Sequence, residues 1–251
     1  VGANNGSLTF NADGSYSFTP GADFDALAAN ESRDVTFSYT ATDDTGAVSE
    51  PQTVTITVTG TNDAPVATAD AGATDENSVL TVDAANGVLT NDSDVDAGTL
   101  SVSEVNGTAA SVGTPIVGSN GGTFTLNADG SYSFAPGAAF DRLANGQTDT
   151  TQVSYTISDA QGGTATSTLT VTVTGTNDAP VAQATTTSSD ENAILNGNVP
   201  AATDVDGTIV GYDLATDVGA NNGSLTFNAD GSFSFAPGSD FDALAANESR
   251  D

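Results

Sequence analysis

Residues 60–66 are repeated letter for letter at 175–181. Each copy reads Gly-Thr-Asn-Asp-Ala-Pro-Val and follows a run in which apolar residues alternate with threonine, at 54–59 and at 169–174. Such alternation is typical of a β-strand. Proline disfavours helix at the preceding residue, so we predict a short, extended connection between modules. Two identical connections, each following a predicted strand, indicate that the chain is an array of repeats.

A longer repeat sets the predicted domain boundaries. Residues 1–34 and 218–251 differ at three positions, so 31 of 34 residues agree, and a looser copy lies at 122–145. We predict the C-terminal part of a β-sandwich repeat at 1–62, a complete repeat at 63–178 and the N-terminal part of a third at 179–251. On this interpretation the chain is a fragment of a longer repeat tract.

The charge balance excludes several classes of partner. The chain has 33 acidic residues against three basic ones, all arginine. Binding to nucleic acid or to an anionic membrane requires positive charge, so neither is expected, whereas divalent cations suit this composition. The absence of cysteine and histidine excludes disulfides, Ser-His-Asp or Cys-His catalysis and ordinary zinc sites. No apolar run approaches the roughly 20 residues of a membrane helix, so no membrane insertion is expected.

Short strands separated by turns are predicted throughout. Three similar hairpins share an Asn-Ala-Asp-Gly turn, at 7–18, 124–134 and 225–235. Residues 24–30 are predicted to hold one helical turn with Phe24 and Leu27 inward, followed by a strand at 35–40. Further strands of the complete repeat are predicted near 66–69 and at 79–82, 99–105, 123–126, 131–134, 152–157 and 165–173. This pattern favours an all-β, Greek-key β-sandwich. Few aromatic residues are available for its core, so we expect additional stabilisation by cations.

Acidic and amide side chains gather around both junctions. The clusters are Asn62-Asp63 and Asn177-Asp178; Asp75-Glu76-Asn77 and Asp190-Glu191-Asn192; Asp92, Asp94 and Asp96; Asp204 and Asp206; and Asp43, Asp44 and Asp159. Calcium takes six to eight oxygen ligands, which these residue types supply. Each cluster alone is equally compatible with a solvated turn, but their recurrence in the same order favours calcium. An EF-hand is excluded because Ala97 and Ser103 replace the required Gly and Glu. A glycosidase carboxylate pair at Asp92 and Asp94 is a minor alternative.

Residues 39–43 and 54–65 resemble the end of a cadherin repeat, with its acidic loop and Asn-Asp linker. Together with the Asn-Ala-Asp-Gly hairpins and Phe-Asp-Ala-Leu-Ala, they more closely resemble the VCBS-type, cadherin-like tandem repeats of large bacterial (RTX-type) adhesins. The resemblance implies tandem Ig-like/cadherin-like Greek-key β-sandwiches in an elongated array. It also implies type I secretion to the extracellular space or cell surface. Neighbouring repeats would be the partners, and other domains of the parent would contact a host or abiotic surface.

The resemblance further implies calcium (Ca2+) ligands at both junctions. The first junction would use Asp25, Asn62, Asp63, Asp94, Asp96 and Asp159. The second would use Glu76, Asp141, Asn177, Asp178, Asp204 and Asp206. Cadherins carry an acidic residue two positions after the aspartate that corresponds to Asp25 and Asp141. This chain has Leu27 and Leu143 at those positions.

The expected function is that of a non-enzymatic structural extender, stiffened by calcium at the junctions. The alternative is a carbohydrate- or protein-binding recognition module of the same adhesin. That alternative requires an exposed aromatic platform or a large loop insertion, and neither is predicted. An enzyme is not expected, because histidine, cysteine and lysine are all absent.

Overall fold

The computed structural model describes residues 5–96, 98–220, 222–245 and 248–250. Its strands are β1 (Ser7–Phe10), β2 (Tyr16–Thr19), β3 (Ser32–Tyr39), β4 (Gln52–Thr59), β5 (Asp70–Asp75), β6 (Leu80–Val82), β7 (Ser101–Val105), β8 (Ile116–Val117), β9 (Thr123–Leu126), β10 (Tyr132–Ala135), β11 (Thr148–Ser158), β12 (Thr164–Thr174), β13 (Leu195–Asn198), β14 (Gly223–Phe227) and β15 (Ser232–Pro237). Helix within these residues is confined to 3₁₀ turns at Ala22–Phe24, Ala84–Asn86, Ala109–Ser111, Gly137–Ala139 and Ser239–Phe241. The prediction of an all-β fold is confirmed.

The chain forms two compact units. One contains Val1–Phe140 and Thr148–Thr174, and the other contains Asp141–Gln147 and Gly175–Asp251. The division into three repeats, after residues 62 and 178, stays a prediction. No helix of the described residues has the length and apolar character needed to cross a membrane.

Two four-stranded sheets form the sandwich of the middle repeat. The first has the order β6-β10-β9-β8 and the second the order β5-β12-β11-β7. All neighbouring strands are antiparallel except β5 and β12, which run parallel. Consecutive strands such as β6 and β7 therefore lie in different sheets, as in a cadherin-like or Ig-like sandwich.

The core of this sandwich follows from strand alternation. From Thr151 to Ile157 in β11 and from Leu169 to Val173 in β12, every second residue is buried, and the residues between them are glutamine, serine or threonine. The core residues of the two sheets are Phe124, Leu126, Phe134, Val153, Tyr155, Ile157, Leu169, Val171 and Val173. The alternating Val/Leu–Thr pattern in the sequence thus corresponds to strands whose apolar face lies in the core of the sandwich and whose polar face lies on its surface.

The N-terminal part consists of two hairpins, β1 with β2 and β3 with β4. Phe24 and Val35 are its buried apolar residues. The guanidinium of Arg33 stacks on the Phe24 ring, 4.1 Å from the ring centroid. In the second unit, β13, β15 and β14 form an antiparallel three-stranded sheet.

Some predicted boundaries were wrong. The first strand of the middle repeat is β5, not 66–69, because residues 70–75 pair in parallel with β12. Val66 makes only an isolated bridge to Ser93, and the Thr68 N–H donates to the Asp92 carboxylate instead of to a strand. The helical turn expected within 24–30 is a 3₁₀ turn that begins earlier, at Ala22.

Candidate metal centre

The connection after β4 is tied to the turn between β11 and β12. Asn62 Nδ2 donates to Asp159 Oδ2 at 2.8 Å and to the Asp63 carbonyl at 3.0 Å. Asn62 lies three residues after the end of β4, and Asp159 directly follows β11. The fold therefore brings together two of the six residues that the resemblance assigned to the first junction.

Asp159 is held by the backbone of its own turn. Its Oδ1 accepts from the N–H groups of Gln161, Gly162 and Gly163, at 2.6, 3.0 and 3.0 Å. The side-chain hydrogen bond from Asn62, together with these backbone donors, lowers the pKa of Asp159, while burial opposes this shift. The residue is only 3% exposed, so the fold holds a carboxylate inside this junction.

Asp94 and Asp96 reach the same connection from the loop before β7. The Asp63 N–H donates to Asp96 Oδ2 at 2.7 Å, and the Asp96 N–H donates to Asp94 Oδ1 at 2.9 Å. A Cβ placed on Gly98 would lie 3.4 Å from Asp94 Oδ2 and 3.5 Å from the Asp159 Cβ. Sequence analysis singled out Asp94 and Asp96 as alternate acids. The fold places the carboxylates of both residues beside Asn62 and Asp159.

Three oxygens of this group are buried and have no hydrogen-bond partner among the described residues. They are Asn62 Oδ1, Asp94 Oδ2 and Asp96 Oδ1. Asp96 as a whole is only 7% exposed. An unsatisfied buried oxygen is costly, and a carboxylate oxygen more so. Hard oxygens of this kind are the donors that calcium prefers, so the residues fit this ion.

The carboxylates do not form a closed ligand shell. Across the part of the chain that the structure describes, no three acidic side chains are arranged as a metal-binding group. Instead, the available N–H donors of Asn62, Asp63 and the 161–163 turn occupy several of the carboxylate oxygens. Asp25 is exposed, and within the described residues no hydrogen bond joins its side chain to this junction.

The second predicted set repeats part of this pattern within the other unit. Asn177 Nδ2 donates to the Asp178 carbonyl at 2.7 Å, and the Asp178 N–H donates to Asp206 Oδ1 at 3.3 Å. Asp204 Oδ1 accepts from the Asp206 N–H at 3.2 Å. Asp141 belongs to the same unit and is half-buried, whereas Glu76 is buried in the first unit.

Two acidic residues of the second unit lie outside both predicted ligand sets, although Glu191 belongs to one of the acidic clusters in the sequence. Glu191 and Asp242 line one cleft, between the start of β13 and the 3₁₀ turn after β15. Glu191 Oε2 is buried and has no hydrogen-bond partner among the described residues. The signal was present, because Phe241-Asp242 repeats Phe24-Asp25, and Glu191 repeats Glu76.

A separate acidic pair lies inside the middle repeat. The Tyr155 hydroxyl donates to Asp70 Oδ2 at 2.6 Å, and the Thr68 N–H donates to Asp92 Oδ1 at 2.7 Å. Burial raises the pKa of Asp70, and the nearby charge of Asp92 adds to this shift. Burial also raises the pKa of Asp92. No catalytic arrangement follows, since the Tyr155 hydroxyl is completely buried with its ring.

Family models match most of the chain. The bacterial cadherin-like domain model matches residues 1–60 and 62–175, and a bacterial Ig domain model matches residues 177–247. No curated protein sequence matches the chain.

The fold is similar to solved cadherin structures. The PcdhgB3 EC1-4 structure has a TM-score of 0.50 at 17% identity, and the match covers 95% of this chain and 56% of that one. For the protocadherin gammaB7 EC3-6 cis-dimer the TM-score is 0.45 at 16% identity, with 99% and 59% covered. For Drosophila N-cadherin EC1-4 the TM-score is 0.41 at 13% identity, with 96% and 58% covered. This chain thus spans less than two-thirds of the length of these structures.

Proposed function

The chain belongs to the bacterial cadherin-like domain family, and we propose that it is a non-enzymatic structural extender of a secreted bacterial adhesin. In this proposal calcium stiffens the junctions between repeats. The observation that carries it is the set of three buried, unpartnered oxygens at the first junction, on Asn62, Asp94 and Asp96.

In this proposal the connection after β4 can bend, and a bound cation would restrict that bending. Asn62 and Asp63 belong to the connection after β4, while Asp94, Asp96 and Asp159 belong to loops of the middle repeat. Asp63, Asp94, Asp96 and Asp159 belong to this connection or to the loops beside it, and without a cation their negative charges repel one another. A bound calcium ion would supply positive charge and accept the free oxygens as ligands. The ligands would then come from the connection itself and from loops of the middle repeat, and the freedom of the connection to bend would fall.

The second unit carries the same kind of group. We propose that Asn177, Asp178, Asp204 and Asp206, with Asp141, form a second calcium-dependent site there. Its linker hydrogen bonds parallel those of Asn62, Asp63, Asp94 and Asp96. The cleft of Glu191 and Asp242 would add a further acidic surface at the other end of that unit.

Calcium affinity would match an extracellular location. Extracellular modules bind calcium with Kd values of about 10⁻⁴–10⁻³ M. Such sites fill outside the cell and stay empty in the cytosol, so the repeats would stiffen only after secretion. Adhesion to a host or abiotic surface would then be the task of other domains of the parent protein, with these repeats holding them at a distance.

The experiment is a distance measurement across the first junction. The chain has no cysteine, so spin labels can be placed through Thr9→Cys and Val117→Cys, both exposed positions. Double electron–electron resonance would be recorded on labelled chains diluted with unlabelled chains, first in chelator and then in millimolar calcium. We expect a broad distance distribution in chelator that narrows with calcium.

Two variants make this test specific. Asp96→Asn removes a buried carboxylate of the site and should weaken the calcium response at least about tenfold. Asp44→Asn removes an exposed carboxylate of another loop and should leave the response unchanged. Equal distributions in chelator and calcium, or equal responses of the two variants, would contradict calcium stiffening at this junction.

A further inference from the structure

The first connection, residues 60–65, is fixed at its start by Gly60. The Gly60 N–H donates to the Glu31 carbonyl at 2.8 Å, and the Asn30 N–H donates to the Gly60 carbonyl at 3.3 Å. Both partners end the segment between β2 and β3, residues 20–31, which we call the first crossover. Both backbone groups of Gly60 therefore hold the first crossover beside the end of β4.

Only glycine fits at this contact. A Cβ built on Gly60 would overlap the Leu27 carbonyl oxygen and would lie 2.6 Å from the Ala28 carbonyl oxygen. Both oxygens belong to the backbone, so neither can move aside as the end of a flexible side chain could. The backbone of the first crossover thus lies directly against the backbone of the connection, which is a close approach that glycine permits.

The second connection repeats this contact within the other unit. The Gly175 N–H donates to the Gln147 carbonyl at 2.8 Å, and the Gly146 N–H donates to the Gly175 carbonyl at 3.0 Å. A Cβ on Gly175 would overlap the Leu143 carbonyl oxygen and would lie 2.6 Å from that of Ala144. The same glycine contact is therefore present in both connections.

From Asn62 onward the first connection is bound to the middle repeat. Asn62 Nδ2 donates to Asp159 Oδ2 at 2.8 Å. Pro65 is buried, and the next residue, Val66, exchanges two backbone hydrogen bonds with Ser93, at 2.7 and 3.1 Å. This part of the connection is thus attached along its length to loops of the middle repeat.

Thr61 lies between these two anchored parts. Its side chain is exposed, and among the residues that the structure describes no hydrogen bond involves Thr61. Gly60 is held by the first crossover, and Asn62 is held by the middle repeat. The backbone torsions around Thr61 are therefore the ones that these contacts leave free.

We infer that Gly60 is a positioning residue that confines bending of the first connection to Thr61, which we call the pivot. This inference rests on the bending in the proposed function, but not on calcium binding. Consecutive Cα atoms are about 3.8 Å apart, so the Cα atoms of Gly60 and Asn62 never separate by more than about 7.6 Å. The two sides rotate about the pivot, while the first crossover stays beside the connection.

For the proposed calcium site, a pivot of one residue keeps the predicted ligands close together. Asp25 belongs to the first crossover, which Gly60 holds, and Asn62 and Asp63 directly follow the pivot. A longer flexible segment would let these side chains move apart, and cation binding would then have to overcome a larger loss of conformational entropy. The glycine contact keeps this loss small.

The first test is the distance measurement between spin labels at Thr9→Cys and Val117→Cys, recorded on the whole chain in chelator. Thr61→Gly removes a β-branched side chain from the pivot and should widen the distance distribution, because glycine has more backbone freedom. Ala64→Gly changes a residue of the anchored part and should leave the width unchanged. Both positions are exposed, so neither variant removes a buried side chain.

Gly60→Ala tests the positioning role in the same measurement. The added Cβ should push the first crossover away from the connection, so the distance distribution in chelator should widen. Gly175→Ala introduces the same overlap in the other unit and is the matched control. It should lower the melting temperature by a similar amount and leave the width unchanged. This pair separates a positioning role from a purely structural one.

Amide hydrogen exchange locates the pivot. The Gly60 and Asp63 N–H groups are hydrogen-bonded, so in chelator the Thr61 N–H should exchange at least about tenfold faster than either. Gly60→Ala should remove the protection at position 60 and leave that of Asp63 unchanged. NMR spectroscopy of the whole chain measures each of these rates.

Three results would overturn the inference. They are equal widths for Thr61→Gly and Ala64→Gly, a width for Gly60→Ala no larger than for Gly175→Ala, and equal exchange rates at Thr61 and Gly60. A narrow distribution for the parent in chelator would overturn both this inference and the proposed stiffening by calcium. If the parent bends at Thr61 but shows no narrowing in calcium, the pivot is supported and calcium stiffening is contradicted.

Discussion

The side-chain amide of Asn62 donates a hydrogen bond of 2.8 Å to Asp159 Oδ2, although the two residues are 97 positions apart. This bond joins the connection after β4 to the turn between β11 and β12. It also leaves Asn62 Oδ1 buried and unpartnered. One side chain thus anchors the connection and offers an oxygen to a cation.

Replacing the amide by a carboxylate should make the first junction dependent on calcium. In Asn62→Asp, two carboxylates face each other and the donor is lost, so we expect the melting temperature in chelator to fall by about 4 °C or more. Calcium should restore most of the loss. The control is Asn196→Asp, because Asn196 is an exposed residue of β13 outside both predicted ligand sets. Equal melting-temperature changes in both variants would rule out the special role of Asn62.

A methyl group at Gly163 should separate the connection after β4 from the turn between β11 and β12. A Cβ there would meet Asp159 Oδ2, Asn62 Nδ2 and the Ala64 Cα, the last two at 3.0 Å. Gly163→Ala should therefore cost about 1–3 kcal/mol in urea unfolding and speed proteolysis within 60–65. Gly211→Ala is the control, because its Cβ would find only an ordinary contact of 3.4 Å with the Ala229 carbonyl. Unchanged proteolysis of Gly163→Ala would refute the tight junction.

The hairpin turns should contribute to acid sensitivity. The Ser131 hydroxyl and N–H both donate to Asp129 Oδ1, and these hydrogen bonds lower the pKa of Asp129. A carboxyl with a lowered pKa stabilises the fold fully above its ordinary value of 3.8, and this contribution is lost as the pH falls through the folded-state pKa. Asp129→Asn should therefore be less stable than the parent at pH 7, with the difference shrinking in strong acid. Urea unfolding across this pH range measures it, and a difference that does not change with pH would contradict the argument.

Asp70 should show the opposite pH dependence. Burial raises its pKa, so the folded state binds protons more readily than the unfolded state. The contribution of Asp70 to stability in chelator should then become more favourable as the pH falls from neutral toward the ordinary value of 3.8. Asp70→Asn removes this effect while its amide oxygen can still accept from Tyr155. We expect the variant to be more stable than the parent at pH 7, by an amount that decreases at lower pH. A variant that is less stable at every pH would show that the charge of Asp70 is needed.

Strand identity was predictable where alternation was regular. The Val/Leu–Thr runs before both Gly-Thr-Asn-Asp-Ala-Pro copies are β4 and the end of β12, and the Asn-Ala-Asp-Gly turns join β1 to β2, β9 to β10 and β14 to β15. β5 was not predictable, because Asp70–Asp75 contains few apolar residues and is a strand only through its pairing with β12. Residues 185–190 follow the second Gly-Thr-Asn-Asp-Ala-Pro-Val copy at the same distance as β5 follows the first. They form no strand, and no strand of the described residues pairs with them.

The candidate site was predictable as a set of residues but not as a geometry. The resemblance to cadherin repeats implied Asp25, Asn62, Asp63, Asp94, Asp96 and Asp159 as ligands, and hydrogen bonds link Asn62, Asp63, Asp94, Asp96 and Asp159 around one connection. The sequence could not show that Asp159 Oδ1 accepts hydrogen bonds from the N–H groups of its own turn, or that Asp25 is exposed. These facts depend on backbone directions in loops, which no periodic pattern encodes.

The sequence by itself determined the all-β fold, the hairpins and the excess of hard oxygen donors, because these follow from local alternation, turn residues and composition. Only the tertiary structure decided which oxygens are buried without a partner and which aromatic residues are covered. Tyr155, for example, is completely buried, and its hydroxyl donates to Asp70 of β5. The physical reason is that burial and hydrogen-bond satisfaction depend on strands distant in the chain, here β5, β6 and β7.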